Sequence, residues 1–457
     1  MSVKGLHRKA LDYWEQPVSV APLVTFRMVF GLVMLFSTVR YMAMGWVESQ
    51  LIDPTIHFSY YGFDWISPLP GQWMYVIFGM MILAALGILV GMYYRWSAVL
   101  FFLCFSYVEL VDITYYLNHY YFVSLVSFLL IWVPANRYFS IDAKRDPSLQ
   151  TVLVSRWCID IFKLQIAIVY CYAGLAKINA DWLFKALPLA IWLPAKSSLP
   201  LIGPLMKYKA TAFIFSWFGM LFDTFIVGGL LWRKTRKWAF AAVIVFHAMT
   251  GVLFPQIGVF PLVMILGVTI FFSGSFHQKL LDHLSSILRT NISKNASSTI
   301  GYIKKGLLIY FLFPFFLFQI LFPWRYLLYD GNIFWTEEGY RFSWRVMLME
   351  KAGSATFYVK DGEDGREGAV INHQFLNDHQ EKQMAMQPDM ILQYAHWLAD
   401  HYQSRGMSAP KVRAEVWVTL NARPGQLLID PQIDLAQIED GWQPKTWILP
   451  LQSNPEQ

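Results

Sequence analysis

Long apolar runs separated by short polar links fill the first two thirds of the chain. They cover residues 19–44, 73–93, 96–112, 119–134, 152–176, 210–232, 236–253, 258–273 and 307–323. A bilayer core takes about 20 apolar residues per helix, so the pattern predicts a mainly α, polytopic membrane bundle of about nine transmembrane helices over 1–323. The runs 96–112 and 258–273 are short, and Pro314 interrupts the last. From about 324 the pattern changes. "SATFYVKDGEDGREGAVIN" alternates apolar and polar residues around an Asp-Gly turn and predicts a hairpin. "PDMILQYAHWLADHYQSRG" has helical spacing and ends on Gly406, and "KVRAEVWVTLNAR" alternates again. Residues 324–457 therefore read as a C-terminal extramembrane α+β domain.

Charge adds an orientation. One alternate set of loops holds seventeen lysines and arginines, among them Lys4, Arg8, Lys9, Lys294, Lys304 and Lys305, and the other holds five, all within 177–209. The basic set belongs on the cytoplasmic side, which puts the N-terminus in the cytoplasm and the C-terminal region outside. The net charge of +6 sits in these short loops, so no nucleic-acid partner is expected. Composition agrees: 56% of residues are hydrophobic and 15% charged, against about 25% charged in soluble domains. The start, "MSVKGLHRKALDYWEQ", is polar and basic, and no cleavable signal peptide is expected. Cys104, Cys158 and Cys171 lie in or beside apolar runs, in no metal-binding spacing, so neither a zinc site nor a structural disulfide is expected.

Polar side chains at membrane depth are costly unless paired or functional. Arg40, Asp112, Asn118 with His119, Lys177 and His247 come from five different runs, and the orientation brings all of them near the outer boundary. Each has a structural alternative. Lys177 can extend its amine to the interface, His247 can tie helices together, His119 can cap a helix, Asp112 can end a loop and Arg40 can anchor to headgroups. The small and apolar neighbours of Lys177 instead favour a dehydrated, neutral amine. Arg27 invites pairing with Asp160, although Asp160 and Lys163, three apart on one face, make the simpler pair. Asp223, mid-run in "GMLFDTFIVGG", needs a partner that the sequence does not name.

"YAGLAKINADW" resembles a motif of the vitamin K-dependent gamma-glutamyl carboxylases. So do "FRMVFG", "LGILVGMYYRWS", "LNHYYF", "FHAMTGVLFPQIGVFP", "GYRFSWRVM" and "LLIDPQIDLAQ", in the same order over nearly the whole chain. The resemblance implies an enzyme that oxidises reduced vitamin K, a naphthohydroquinone, to its epoxide with O2. The strong base so formed removes a γ-hydrogen from peptide glutamate, and CO2 adds. It implies that Lys177 deprotonates the hydroquinone, and that Asn118, His119 and His247, with Arg40 more loosely aligned, line the quinone pocket and support the oxyanion. Where the vertebrate enzymes place a histidine and an arginine against the glutamate, this chain has Met349 and Lys351; Trp344 belongs to the same peptide-facing segment. Ala176 replaces a second family lysine. The vertebrate enzymes continue into a further C-terminal region where this chain stops at Gln457, and the compact chain implies a bacterial relative in the inner membrane, with its active site on the periplasmic side and menaquinol as a candidate for the quinol. A glutamate-containing peptide or exported protein is the implied partner, and no metal is expected.

Two other readings stand beside this one. A related oxidoreductase could epoxidise a quinol without carboxylating anything, and a non-enzymatic module could bind quinone or lipid and dock a partner. A transporter is disfavoured, because the sequence shows neither repeated halves nor paired broken helices.

Overall fold

The computed structural model describes residues 12–289 and 308–452. Lys4, Arg8, Lys9, Lys294, Lys304 and Lys305, which entered the orientation argument, lie outside the described residues. The helices in chain order are α1 (Ala21–Ala43), α2 (Trp73–Val90), α3 (Tyr94–Val111), α4 (Asn118–Trp132) and α5 (Trp157–Ala176). They continue with α6 (Lys209–Leu231), α7 (Arg236–Leu253), α8 (Phe260–Gly267), α9 (Gly274–Ile287) and α10 (Tyr310–Leu328).

Among the described residues seven helices are long and apolar enough to cross a membrane: α1, α2, α3, α5, α6, α7 and α10. The expected nine is thus corrected to seven, or eight if a bent pair is one span. The run 119–134 yields only the 15 residues of α4, about 22 Å at 1.5 Å per residue, short of the ~30 Å core. The run 258–273 ends where Ser273 caps α9, and the Phe260–Phe271 segment meets α9 at a bend of 115°.

Arg27 is corrected as well. It is fully buried in α1 and donates to the Phe139 carbonyl at 2.8 Å and the Ala135 carbonyl at 3.3 Å, rather than to Asp160. Gly91, the left-handed cap of α2 at φ 65°, makes room for it: a Cβ there would collide with Arg27 Nη1. Asp160 pairs with Lys163 at 3.1 Å on one helical face, as their spacing predicts.

A two-stranded antiparallel pair joins β1 (Pro17–Ser19) to β2 (Leu153–Ser155). The C-terminal region carries β3 (Lys351–Lys360), β4 (Glu367–Ala369), β5 (Lys411–Leu420) and β6 (Gln426–Leu427). These form one four-stranded antiparallel sheet in the order β4-β3-β5-β6. The hairpin at "KDGEDGREG" forms as β3–β4, but the longer pairing is β3 with β5, from Lys351 opposite Leu420 to Lys360 opposite Lys411. The helices α11 (Asp378–Met384) and α12 (Pro388–Ser404) pack on this sheet, and Gly406 at φ 98° follows the end of α12. One apolar core continues from Phe357, Tyr394 and Val416 into Trp182, Met220, Leu253 and Phe254 of the bundle. That contact fixes the sheet over the bundle end that carries Lys177.

Candidate active site

A cavity of about 730 Å3 lies between that bundle end and the C-terminal region. Its wall includes Asn118, His119, Lys177, Asp223 and His247 from the bundle, with Tyr340, Arg341, Arg345, Met349 and Lys351 from beyond it. The volume falls in the range of small-molecule sites, and most of the wall is apolar.

Lys177 is the residue just past the end of α5, and its backbone N–H closes on the Gly174 carbonyl. Its side-chain nitrogen is buried, 2.8 Å from Asp223 of α6 and 3.1 Å from the Ala173 carbonyl, and lies 5.4 Å from the centre of the Trp182 ring. The expectation of an amine in wholly apolar surroundings is therefore corrected, because the partner Asp223 required is Lys177 itself. Gly174 permits the pairing: a Cβ there would come within 2.5 Å of Thr224 Oγ1 and 2.7 Å of Thr224 N, next door to Asp223. Only a glycine lets α5 and α6 approach so closely at this level.

The rest of "KINADW" locks this corner. Asn179 caps the short helix Ala180–Lys185 by accepting from the Trp182 N–H at 3.0 Å. The Trp182 indole donates to the Ser216 carbonyl of α6 at 2.8 Å, and the Ser216 hydroxyl returns a bond to the Trp182 carbonyl. Asp181 takes a two-pronged contact from Arg423, at 2.8 Å on each oxygen, and a third bond from Asn421. The lysine's own loop is thus the clasp between bundle and sheet.

His247 of α7 shares a 2.8 Å hydrogen bond between Nε2 and the Tyr170 hydroxyl, while its Nδ1 is buried with no partner. Phe222, Phe246 and Phe260 surround its ring. Tyr170 lies seven residues before Lys177, two helical turns along the same face of α5. His119 is buried against Phe260 and Tyr120.

Asn118 is committed structurally. Its amide donates to the Arg345 carbonyl at 3.0 Å and its oxygen accepts from Tyr116, whose hydroxyl in turn accepts from the Phe342 N–H. It joins α4 to the 339–349 loop. Arg40 does not line the cavity; its guanidinium lies on Trp46, 4.8 Å from the ring centre, where α1 ends. Trp344 does not line it either, because its indole turns back to stack on Tyr121 at 4.9 Å. Lys351 does line it, but is bound to Glu337 at 2.9 Å and to the Trp335 carbonyl at 2.7 Å. Burial pushes its ammonium down in pKa, and Glu337 opposes that shift. Asp112 ends α3 and receives Thr114 and Gln380, outside the cavity.

Two comparisons bear on this geometry. Residues 15–276 match the family model described as HTTM domain. Residues 304–454 match the model described as vitamin K-dependent gamma-carboxylase, lumenal domain. The chain belongs to the vitamin K-dependent gamma-carboxylase family. No solved structure matches it. The HTTM match takes in Lys177, Asp223 and His247, and the second match takes in Arg341, Arg345 and Lys351, so the cavity is built by both matched segments. Seven apolar helices together with the HTTM match make the chain an integral membrane protein of this family.

Proposed function

We propose that this chain oxidises a reduced naphthoquinone, vitamin K hydroquinone or menaquinol, to its epoxide with O2 and couples this to CO2 addition at the γ-carbon of peptide glutamate. The observation that carries the reading is the convergence of Lys177, Asp223, His119 and His247 on one largely apolar cavity in a chain of this family. The wall fits such a group. The orphaned Nδ1 of His247 calls for a polar partner, and Phe246 and Phe260 beside it suit a flat aromatic ring. His247 and His119 would hold the hydroquinone. Bound there, it supplies with O2 the strong base that takes the γ-hydrogen of glutamate.

Lys177 Nζ and Asp223 Oδ2 form two seats for one proton. With that proton on Oδ2 the amine is uncharged, and once its lone pair turns from Oδ2 to the cavity it accepts a proton from a hydroxyl. With a proton on Nζ, the amine donates to the negative charge that results, in a site where such a bond is strong. Trp182 and the clasp at Asp181 keep the amine aimed and help to keep water out. The cavity then faces the outer side of the membrane, the periplasm of a bacterial host.

A second reading, quinol oxidation without carboxylation, is favoured by Lys351, which occupies a family peptide-contact position yet is tied to Glu337. Purified protein given reduced vitamin K, a glutamate peptide, O2 and labelled bicarbonate separates the two. Fixed label with epoxide supports the first, epoxide alone the second, and neither product overturns both.

A further inference from the structure

The cations on the cavity wall differ in how they are partnered. Arg341 holds Asp389 at 2.5 Å and also contacts Gln387. Lys351 holds Glu337, and Lys177 holds Asp223. Lys382 reaches the rim as an exposed side chain. Arg345 is the exception. It is 9% exposed, it has no carboxylate partner among the described residues, and its Nε is buried without a hydrogen bond. Its guanidinium rests on Tyr326, 4.4 Å from the ring centre, with Phe334 at 5.8 Å. A guanidinium cannot shed its proton to escape burial, so an uncompensated one calls for an anion from elsewhere.

The segment that presents Arg345 is held under strain. Phe342, Trp344 and Met347 all adopt left-handed φ values of 54° to 60°, which non-glycine residues avoid. The conformation is fixed from the bundle side: Tyr116 receives the Phe342 N–H, Asn118 holds the Arg345 carbonyl, and Trp344 stacks on Tyr121. All three anchors sit around the start of α4, beside His119. The backbone that carries Arg345 is thereby fixed beside the start of α4, and Arg345 itself lines the cavity.

We infer that Arg345 binds the side-chain carboxylate of a glutamate-containing peptide and holds it over the cavity. This rests on the function proposed above and names the residue that receives its peptide substrate. A planar guanidinium that holds no carboxylate of its own chain can take one by two parallel hydrogen bonds. Lys351, the cation at the family's peptide-contact position, is occupied by Glu337 and cannot serve in this way.

The test uses the full chain in lipid nanodiscs and reads equilibrium binding of a labelled glutamate peptide and its glutamine counterpart. The wild-type protein should prefer the glutamate peptide by about tenfold or more, the usual worth of a hydrogen bond to a charged group. Arg345→Gln should abolish that preference and weaken the glutamate peptide by a similar factor, while Arg345→Lys should retain part of it. In turnover, the same loss should appear as a raised KM for peptide with kcat little changed. Equal binding of the two peptides by wild type, or an unchanged preference in Arg345→Gln, overturns the assignment. So does displacement of the peptide by millimolar bicarbonate alone, which would make the guanidinium a site for a free anion. Should Arg345→Gln not fold, Arg345→Lys and the wild-type glutamate-to-glutamine comparison decide. Failure of the quinol chemistry would show instead as unchanged epoxide formation in Lys177→Ala, a readout independent of peptide binding.

Discussion

The side-chain nitrogen of Lys177 lies 2.8 Å from the carboxylate of Asp223, and the two side chains are only 8% and 6% exposed. Breaking a buried pair by removing one partner leaves an uncompensated charge and costs about 3–5 kcal/mol, whereas replacing both with apolar groups is often neutral. Lys177→Met should therefore lower thermal stability in nanodiscs clearly, and Lys177→Met with Asp223→Leu should recover most of the loss. Additive losses in the double variant would mean that the pair is not coupled.

Chemistry should follow the same pair. Lys177→Ala should lower epoxide formation by 10²–10⁴, the usual contribution of a general base. Asp223→Asn keeps the shape and removes the second proton seat. It should lower the rate by about 10- to 100-fold, the worth of a charged hydrogen bond, and shift the pH–rate profile as a merely structural change would not. Lys209, at the start of α6, does not line the cavity, and replacing it should leave the rate alone.

Gly174 offers an independent handle on this geometry. An alanine there would press its Cβ against Thr224 backbone and hydroxyl atoms at 2.5–2.9 Å, so α5 and α6 must separate. Epoxide formation should fall at least tenfold with both Lys177 and Asp223 still present, since misplacement by about 1 Å can cost that much and more. Gly228, also on α6, has open space where a Cβ would stand, with no atom within 4 Å, and Gly228→Ala should be neutral or slightly stabilising. Equal activity of the two variants would show that the close approach at Gly174 is unimportant.

These effects depend on relationships that only part of the sequence displays. Seven of the nine expected spans, the helix ending near Gly406 and the two alternating strands were legible because periodicity and length are local properties. The convergence of Asn118, His119, Lys177 and His247 was legible because membrane topology supplies a common depth. Depth alone does not say which way a side chain turns. Arg40 and Asp112 share the right level, yet Trp46 draws one aside and Thr114 with Gln380 holds the other. Asp223 was visibly in need of a partner, but its partner lies 46 residues away, across a helix contact that Gly174 sets. Arg345 was hidden differently: it lies inside a recognisable motif, and its lack of a carboxylate becomes apparent only when its neighbours' pairings are known.

The clasp at Asp181 can be read by a measurement that does not depend on turnover. Arg423 grips both of its oxygens while Asn421 adds a third bond, and the carboxylate is 13% exposed. Asp181→Asn should raise hydrogen exchange in the loop after β5 and in the Ala180–Lys185 helix, while α1, α2 and α3 exchange as before. Unchanged protection at both sites would show that the apolar core shared by Trp182 and the sheet is sufficient to hold them together.

A pH test is available at Asp112, which lies just beyond the end of α3. Burial pushes its carboxyl up to about 6, with the Thr114 and Gln380 donors opposing the rise. In the unfolded chain an aspartate titrates near 4. Between about pH 4 and 6 the folded protein therefore holds a proton that the unfolded chain has released. Its stability should rise as pH falls through that window and level off on either side. Asp112→Asn removes this ionisation while keeping an oxygen that can still accept from Thr114. The difference in melting temperature between wild type and variant should change across pH 4–6 in the sense of wild type gaining on acidification. A difference that stays flat across the window, or slopes the other way, would mean that Asp112 is ionised throughout, held so by Thr114 and Gln380.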